Sequence, residues 1–120
     1  MANEIENYTL SEMMQKIEEV INQKPGPIEG ANVIYQFNIK GDEEGAYQLQ
    51  LAEGKARVSE VTEVANCTLV LSLDNFRKFL LGKLNGTTAF MTGKLKIKGD
   101  IGKAIKLEGI LREYNLNDYL

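Results

Sequence analysis

The spacing of apolar residues changes period along this chain, and each change marks a new element. Leu10, Met13, Met14, Ile17, Val20 and Ile21 recur at intervals of three and four, so they share one face of a helix over residues 8–24. Thr9 and Glu12 have the spacing of a capping box, and Pro25-Gly26-Pro27 stops the helix. From Ala31 the period drops to two. Val33, Tyr35, Phe37 and Ile39 fall on one face of a strand, with Gln36 and Asn38 on the other. After a turn at residues 41–45, Tyr47, Leu49 and Leu51 alternate with Gln48 and Gln50 in a second strand. Glu53-Gly54 turns the chain into a third, shorter strand around Ala56 and Val58. Connections this short make an antiparallel meander.

Residues 59–66 read as a polar connection, and Cys67, Leu69 and Leu71 mark a fourth strand. Ser72 is placed to cap a helix that carries Leu73, Phe76, Phe79 and Leu80 inward, with Gly82 ending it. The stretch 85–107 then changes type three times. Asn85-Gly86-Thr87-Thr88 predicts a turn and helix start, and Ala89-Phe90-Met91 a short apolar helical piece. Lys94-Leu95-Lys96-Ile97-Lys98 alternates strictly and predicts a fifth strand, with Gly99 ending it and Asp100 capping a helix over 100–114. The apolar positions of that helix, Ile101, Ala104, Ile105, Leu107, Ile110, Leu111 and Tyr114, cover more than one narrow stripe. So wide an arc implies two apolar partners, or one partner and a ligand. Gly109 costs about 1 kcal/mol relative to Ala and leaves room for a bend. Leu116, Tyr119 and Leu120 form an apolar tail that either folds back or docks on a twin subunit as a homodimer.

A chain of 120 residues corresponds to one domain over 1–120. The net charge of -3 conceals an asymmetry. Residues 1–76 carry thirteen acidic and five basic side chains, whereas 77–107 carry eight basic and one acidic. Such halves either attract each other within the domain or present a basic face to phosphates on a membrane or ligand. The single Cys67 has no disulfide partner within the chain and suits a reducing compartment. It alternates in phase with Leu69 and Leu71, as a small core residue would. No apolar run approaches the ~20 residues of a membrane span, and the acidic N-terminus lacks an apolar signal core. A soluble, cytoplasmic protein is expected.

The chain contains no His, which removes Ser-His and Cys-His nucleophile pairs and the commonest zinc ligand. Gly93-Lys94 and Gly102-Lys103 lack the upstream Gly and following Ser or Thr of a phosphate-binding loop. Asp42-Glu43-Glu44 lacks the alternating oxygen ligands of a calcium loop and reads as a solvated turn. The Lys94-Lys96-Lys98 strand carries no aromatic side chains for base stacking, so nucleic acid is not the expected partner. An enzyme is disfavoured: no catalytic residue, metal site or cofactor is expected.

The run 88–100, Thr-Ala-Phe-Met-Thr-Gly-Lys-Leu-Lys-Ile-Lys-Gly-Asp, resembles the signature of the sterol carrier protein type 2 (SCP-2-like) family. Further likeness lies in Cys67-Thr68-Leu69, in Gly82-Lys83-Leu84 and in the strands at 33–39 and 47–51, so it covers essentially the whole chain. The resemblance implies an α/β (α+β) domain with a five-stranded mixed, largely antiparallel sheet covered by helices. It also implies a hydrophobic tunnel between sheet and helices for a sterol, fatty acid, fatty acyl-CoA or similar lipid, and no intrinsic catalysis. Eukaryotic members often end in a Ser-Lys-Leu-type signal; this chain ends Asn-Asp-Tyr-Leu. A free-standing bacterial or archaeal cytoplasmic member is therefore the expectation.

On this basis Phe76, Phe79, Leu80, Leu84, Phe90, Met91, Ile101, Ile105 and Leu111 are the expected lipid-lining residues, with the C-terminal helix as a lid. The alternative is that they fill a closed core. Lys83, Lys94, Lys103 and Lys106 are candidates to meet a carboxylate, CoA phosphates or anionic lipid at the mouth, in transient membrane contact. Burying a long acyl chain yields on the order of 0.8 kcal/mol per CH₂, against about 1 kcal/mol for a head-group hydrogen bond. Apolar burial should dominate, and several lipids of similar length should fit. Two other classes stay open: an accessory protein-interaction module with a vestigial cavity, and a small carboxylate-dependent enzyme on a hydrophobic substrate.

Overall fold

Helix α1 spans Leu10–Gln23 in the computed structural model, which describes residues 5–119. Its first turn is closed by the expected capping box. Thr9 Oγ1 accepts from the Glu12 N–H at 3.1 Å, and Glu12 Oε1 accepts from the Thr9 N–H at 2.9 Å. Glu43 adds a third contact, with Oε1 2.9 Å from the Leu10 nitrogen. One member of the acidic turn thus has a structural task. It satisfies an orphan donor and places negative charge at the positive end of the helix.

The five strands are β1 (Val33–Lys40), β2 (Gly45–Ala52), β3 (Lys55–Ser59), β4 (Cys67–Ser72) and β5 (Leu95–Gly99), in the order β3-β2-β1-β4-β5. The first three form the antiparallel meander. Its second turn is Glu53-Gly54, with φ of 54° and 73°. Two positive φ values in a two-residue hairpin match the twist of the flanking strands. The sheet is mixed because β4 runs parallel to β1, with Tyr35 opposite Cys67 and Phe37 opposite Leu69. β5 then pairs antiparallel with β4.

To reach β4 from β3 the chain must cross β2 and β1, and residues 60–66 do so without a helix. Gln48, on the outer face of the sheet and 2% exposed, ties this segment down. Its Nε2 donates to the Glu63 carbonyl at 2.6 Å and to Gln36 Oε1 at 3.0 Å. Its Oε1 accepts from the Thr62 and Glu63 N–H groups, each at 3.3 Å. Gln48→Ala strands these buried partners, so urea denaturation should show a loss of about 2 kcal/mol. The Glu63 amide should exchange with solvent faster in the variant. Wild-type stability and exchange would show that the crossover is held by other contacts.

The open edge of β3 is covered by α1. Asn22 Nδ2 donates to the Ala56 carbonyl at 2.9 Å, and its Oδ1 accepts from the Ala56 N–H at 2.8 Å. Glu18 Oε2 accepts from the Val58 N–H at 2.7 Å. Side chains here stand in for a neighbouring strand and blunt an aggregation-prone edge.

Helices α2 (Leu73–Leu80), α3 (Gly86–Met91) and α4 (Ile101–Glu113) complete the cover. Ser72 caps α2, its Oγ accepting from the Asn75 N–H at 3.1 Å. Gly82, at φ 73°, ends it: the Gly82 and Lys83 N–H groups return to the Phe79 and Lys78 carbonyls. The core lies between the inner sheet face, with Tyr35, Phe37, Leu49 and Leu69, and helical residues including Met13, Met14, Phe76 and Leu107. The Phe37 and Phe76 rings meet at 5.4 Å and 54°. The tail folds back: Leu116 is buried and Asn117 Nδ2 donates to the Leu81 carbonyl. Tyr119 is exposed, and Leu120 lies outside the described residues. Among the described residues no helix is long and apolar enough to cross a membrane.

Candidate functional site

The site is organised by the corner between β5 and α4. Gly99 turns it at φ 92°, and a Cβ there would lie 2.5 Å from the Asn66 carbonyl oxygen. Asn66 is held in turn by β1: its N–H donates to the Ile34 carbonyl at 2.9 Å, and its Oδ1 accepts from the Ile34 N–H at 2.8 Å. The Asn66 carbonyl accepts from the Asp100 N–H at 3.2 Å, and Asp100 caps α4. The corner therefore aims α4 back across the sheet.

One side of α4, with Leu107, Ile110 and Leu111, enters the core, followed by the buried Tyr114 at its C-cap, and Ala104 lies on the border between core and groove. Two tyrosines pin the helix. Tyr35 from β1 donates its hydroxyl to the Lys103 carbonyl at 2.7 Å, and Tyr114 donates to the Lys24 carbonyl at 2.7 Å. Burial, then the proximity of Cys67 and Asp100, pushes the Tyr35 phenol from 10.0 up to about 12. Burial, then Glu113, raises Tyr114 as well. Burial and then Asp100 raise the Cys67 thiol, with Lys103 opposing, so the thiolate is disfavoured.

A folded-state pKa above the unfolded value stabilises the protein fully below the unfolded pKa and is lost as pH rises through the folded one. For Tyr35 that window runs from about 10 to about 12. At about 1.4 kcal/mol per unit, the expected loss across it is roughly 2–3 kcal/mol. Denaturation at successive alkaline pH values should show this decline, and Tyr35→Phe should make it shallower. Tyr114 and Cys67 act in the same direction, so some slope remains. An unchanged slope in Tyr35→Phe would count against the assignment.

The other side of α4 faces a groove. Ile101, Ala104, Ile105 and Glu108 form one wall, and Gly86, Thr87 and Phe90 from α3 another. Leu95 and Ile97 from β5, with Phe79 from α2, form the floor. The groove encloses a cavity of about 70 Å³, well below the size of an ordinary ligand site. Phe90, Ile101 and Ile105 are 38%, 43% and 54% exposed, so the rim is apolar and in contact with solvent. Glu108 is the one charged wall residue. Its Oε2 accepts from the Gly86 N–H at 2.6 Å and lies 3.6 Å from Arg112 Nη2.

Four of the nine expected lining residues meet here: Phe79, Phe90, Ile101 and Ile105. The structure places Phe76, Leu80 and Leu111 in the core instead, because their helix faces point at the sheet. Leu84 is half-buried against the core, and Met91 is 79% exposed beside Phe90. Lys83, Lys94 and Lys106 are exposed, Lys103 is half-buried, and none lines the groove. The expected lid, α4, is pinned by two tyrosines and by its core face, whereas α3 is a single short helix carrying exposed Phe90 and Met91.

Sequence reasoning passed over Gly86, Thr87, Leu95, Ile97, Ala104 and Glu108. Glu108 left a signal. It follows Ile101 and Ile105 at i+7 and i+3, so the apolar stripe of that face ends in a carboxylate. Among the described residues no group of three or more His, Cys, Asp or Glu side chains is placed to hold a metal. The arrangement can shelter an apolar body and accept a hydrogen bond at one corner.

The fold is a helix-covered five-stranded mixed sheet with an apolar groove beside its edge strand. The model of the SCP-2 sterol transfer family matches residues 14–112, and the chain belongs to that family. It is 41% identical over 108 residues to hydroxysteroid dehydrogenase-like protein 2 of Xenopus tropicalis, covering 88% of this chain and 25% of that protein. The chain thus spans about a quarter of the length of such relatives. Among solved structures, sterol carrier protein 2 of Yarrowia lipolytica in its apo form superposes with a TM-score of 0.74 at 32% identity, covering 96% of this chain and 98% of that one. The sterol carrier protein domain 2 of Helicoverpa armigera gives 0.75 at 30% identity, covering 96% and 94%. These likenesses carry the fold and a lipid-binding or transfer role.

Proposed function

We propose that this chain is a non-catalytic cytoplasmic lipid carrier that takes a sterol-like lipid, fatty acid or fatty acyl-CoA through the groove between α3, α4 and β5. The observation that supports this best is the solvent-open rim of Phe90, Ile101 and Ile105 leading to an apolar floor. Exposed apolar patches of this kind mark binding surfaces. The groove as it stands shelters part of a long lipid, so loading requires a wall to move. α3, a helix of six residues with Phe90 and Met91 exposed, is the shorter of the two helical walls.

Lys83, Lys94, Lys103 and Lys106 lie outside the groove and would meet phosphates or an anionic membrane at its mouth. Charge reversal at Lys94 and Lys106 together should weaken acyl-CoA binding several-fold at low salt and far less at high salt. Equal losses at both salts would remove the electrostatic role. The direct test of the carrier reading is native mass spectrometry of gently purified protein, then organic extraction and titration with sterol and acyl lipids. A co-purifying or added lipid at defined stoichiometry supports the reading. Protein that is empty and ignores every added lipid overturns it.

A further inference from the structure

The groove is not uniformly apolar, and its one charged wall residue bears on what it accepts. Ile101, Ile105 and Glu108 follow one another along the same face of α4, so the groove runs from an apolar rim to a carboxylate corner. That corner is more enclosed than the rim: the Glu108 side chain is 14% exposed. Its Oε2 is occupied by the Gly86 N–H and faces Arg112 from the solvent side. Among the described residues Oε1 accepts no hydrogen bond, and Thr87 lines the groove beside Gly86. The lysines expected to receive an acidic head group are all outside the groove.

We infer that the carboxylate corner selects lipids whose polar end donates a hydrogen bond, and that Glu108 is the specificity-determining residue. The ligand class is a long neutral alcohol, such as a sterol-type or fatty alcohol, with its hydroxyl donating to Glu108 Oε1. A lipid carboxylate brought to the same corner meets like charge, since Arg112, the one cation in an ion pair with Glu108 among the described residues, already faces it. A fatty acid must then bind reversed, its carboxylate outside and its chain end at a polar wall, or not bind. This inference rests on the carrier reading and narrows it.

The test is equilibrium dialysis of the full chain with three radiolabelled probes of one chain length: hexadecanol, its methyl ether and palmitate. The ether is the more apolar molecule but has no donor, so simple greasiness favours it over the alcohol. The wild type should bind the alcohol at least about tenfold more tightly than the ether, the lower end for a hydrogen bond to a charged acceptor. Glu108→Gln should reduce that preference and strengthen palmitate binding about tenfold. Arg112→Gln, which keeps Glu108 and removes its neighbour, should weaken palmitate further. Equal binding of alcohol and ether by the wild type overturns the inference while leaving a carrier in place. Probe ratios unchanged in Glu108→Gln overturn it equally. Binding of none of the probes, nor of a sterol, overturns the carrier reading along with it.

Discussion

Gly99→Ala should cost about 4 kcal/mol of folding stability, a loss few single-methyl changes produce. Two terms combine. The backbone at φ 92° is strained for any residue with a Cβ, worth about 1–3 kcal/mol. The added methyl also lands 2.5 Å from the Asn66 carbonyl oxygen, a backbone atom that cannot swing away. Relief requires moving Asn66, whose amide and side chain pair with Ile34 and whose carbonyl receives the Asp100 N–H. The clash therefore spreads into β1 and the start of α4. Gly93→Ala is the matched control. It has φ 80° with nothing within 4 Å of the new Cβ, so it should lose only about 1–2 kcal/mol. Chemical denaturation of both variants separates the terms. Equal losses would mean that backbone strain alone, and not the approach of Asn66, makes Gly99 necessary.

The second large effect contrasts two phenylalanines that the sequence treats alike. Phe76 is fully buried and packs its ring against Phe37. Phe76→Ala should lower stability by about 3–5 kcal/mol, the usual range for removing an aromatic ring from a closed core. Phe90 is 38% exposed at the groove rim, with few atoms to leave behind as a cavity. Phe90→Ala should change stability by no more than about 1 kcal/mol. It should weaken lipid binding by about tenfold, because its ring supplies apolar surface to the ligand. A Phe90→Ala variant that unfolds as readily as Phe76→Ala would place Phe90 in the core. One that binds lipid as the wild type does would remove the groove from the binding path.

The elements were legible because they are written in local pattern. The three-and-four spacing from Leu10 to Ile21, the alternation from Val33 to Ile39 and the Lys-Leu-Lys-Ile-Lys run each match an observed helix or strand. The caps were local too. Thr9, Ser72, Asn85 and Asp100 each sit three residues from the amide they satisfy, a distance at which sequence and geometry coincide. The family motif added the architecture, including a mixed sheet whose parallel pair no local signal announces.

The groove was legible only in part, and the reason is the wide apolar arc of α4. By residue type Ile101, Ile105, Leu107 and Leu111 are alike, all apolar positions within one broad arc. Which of them enter the core depends on the angle at which α4 crosses the sheet. That angle comes from Gly99 against Asn66 and from Tyr35 on Lys103, contacts between residues 33 and 68 positions apart. The same applies to Phe76 and Phe79, three positions apart on α2, of which one faces the sheet and the other reaches the groove floor.

By itself the sequence determined the period, the order and the approximate bounds of the strands and α-helices, since these follow from interactions within a few residues. It also determined the absence of histidine chemistry. Only the tertiary structure decided which apolar residues close a core and which line an opening, because burial is a property of two surfaces that meet. It also decided the role of Glu108: a carboxylate on a helix looks solvated until the amide of Gly86 and an apolar groove are brought against it.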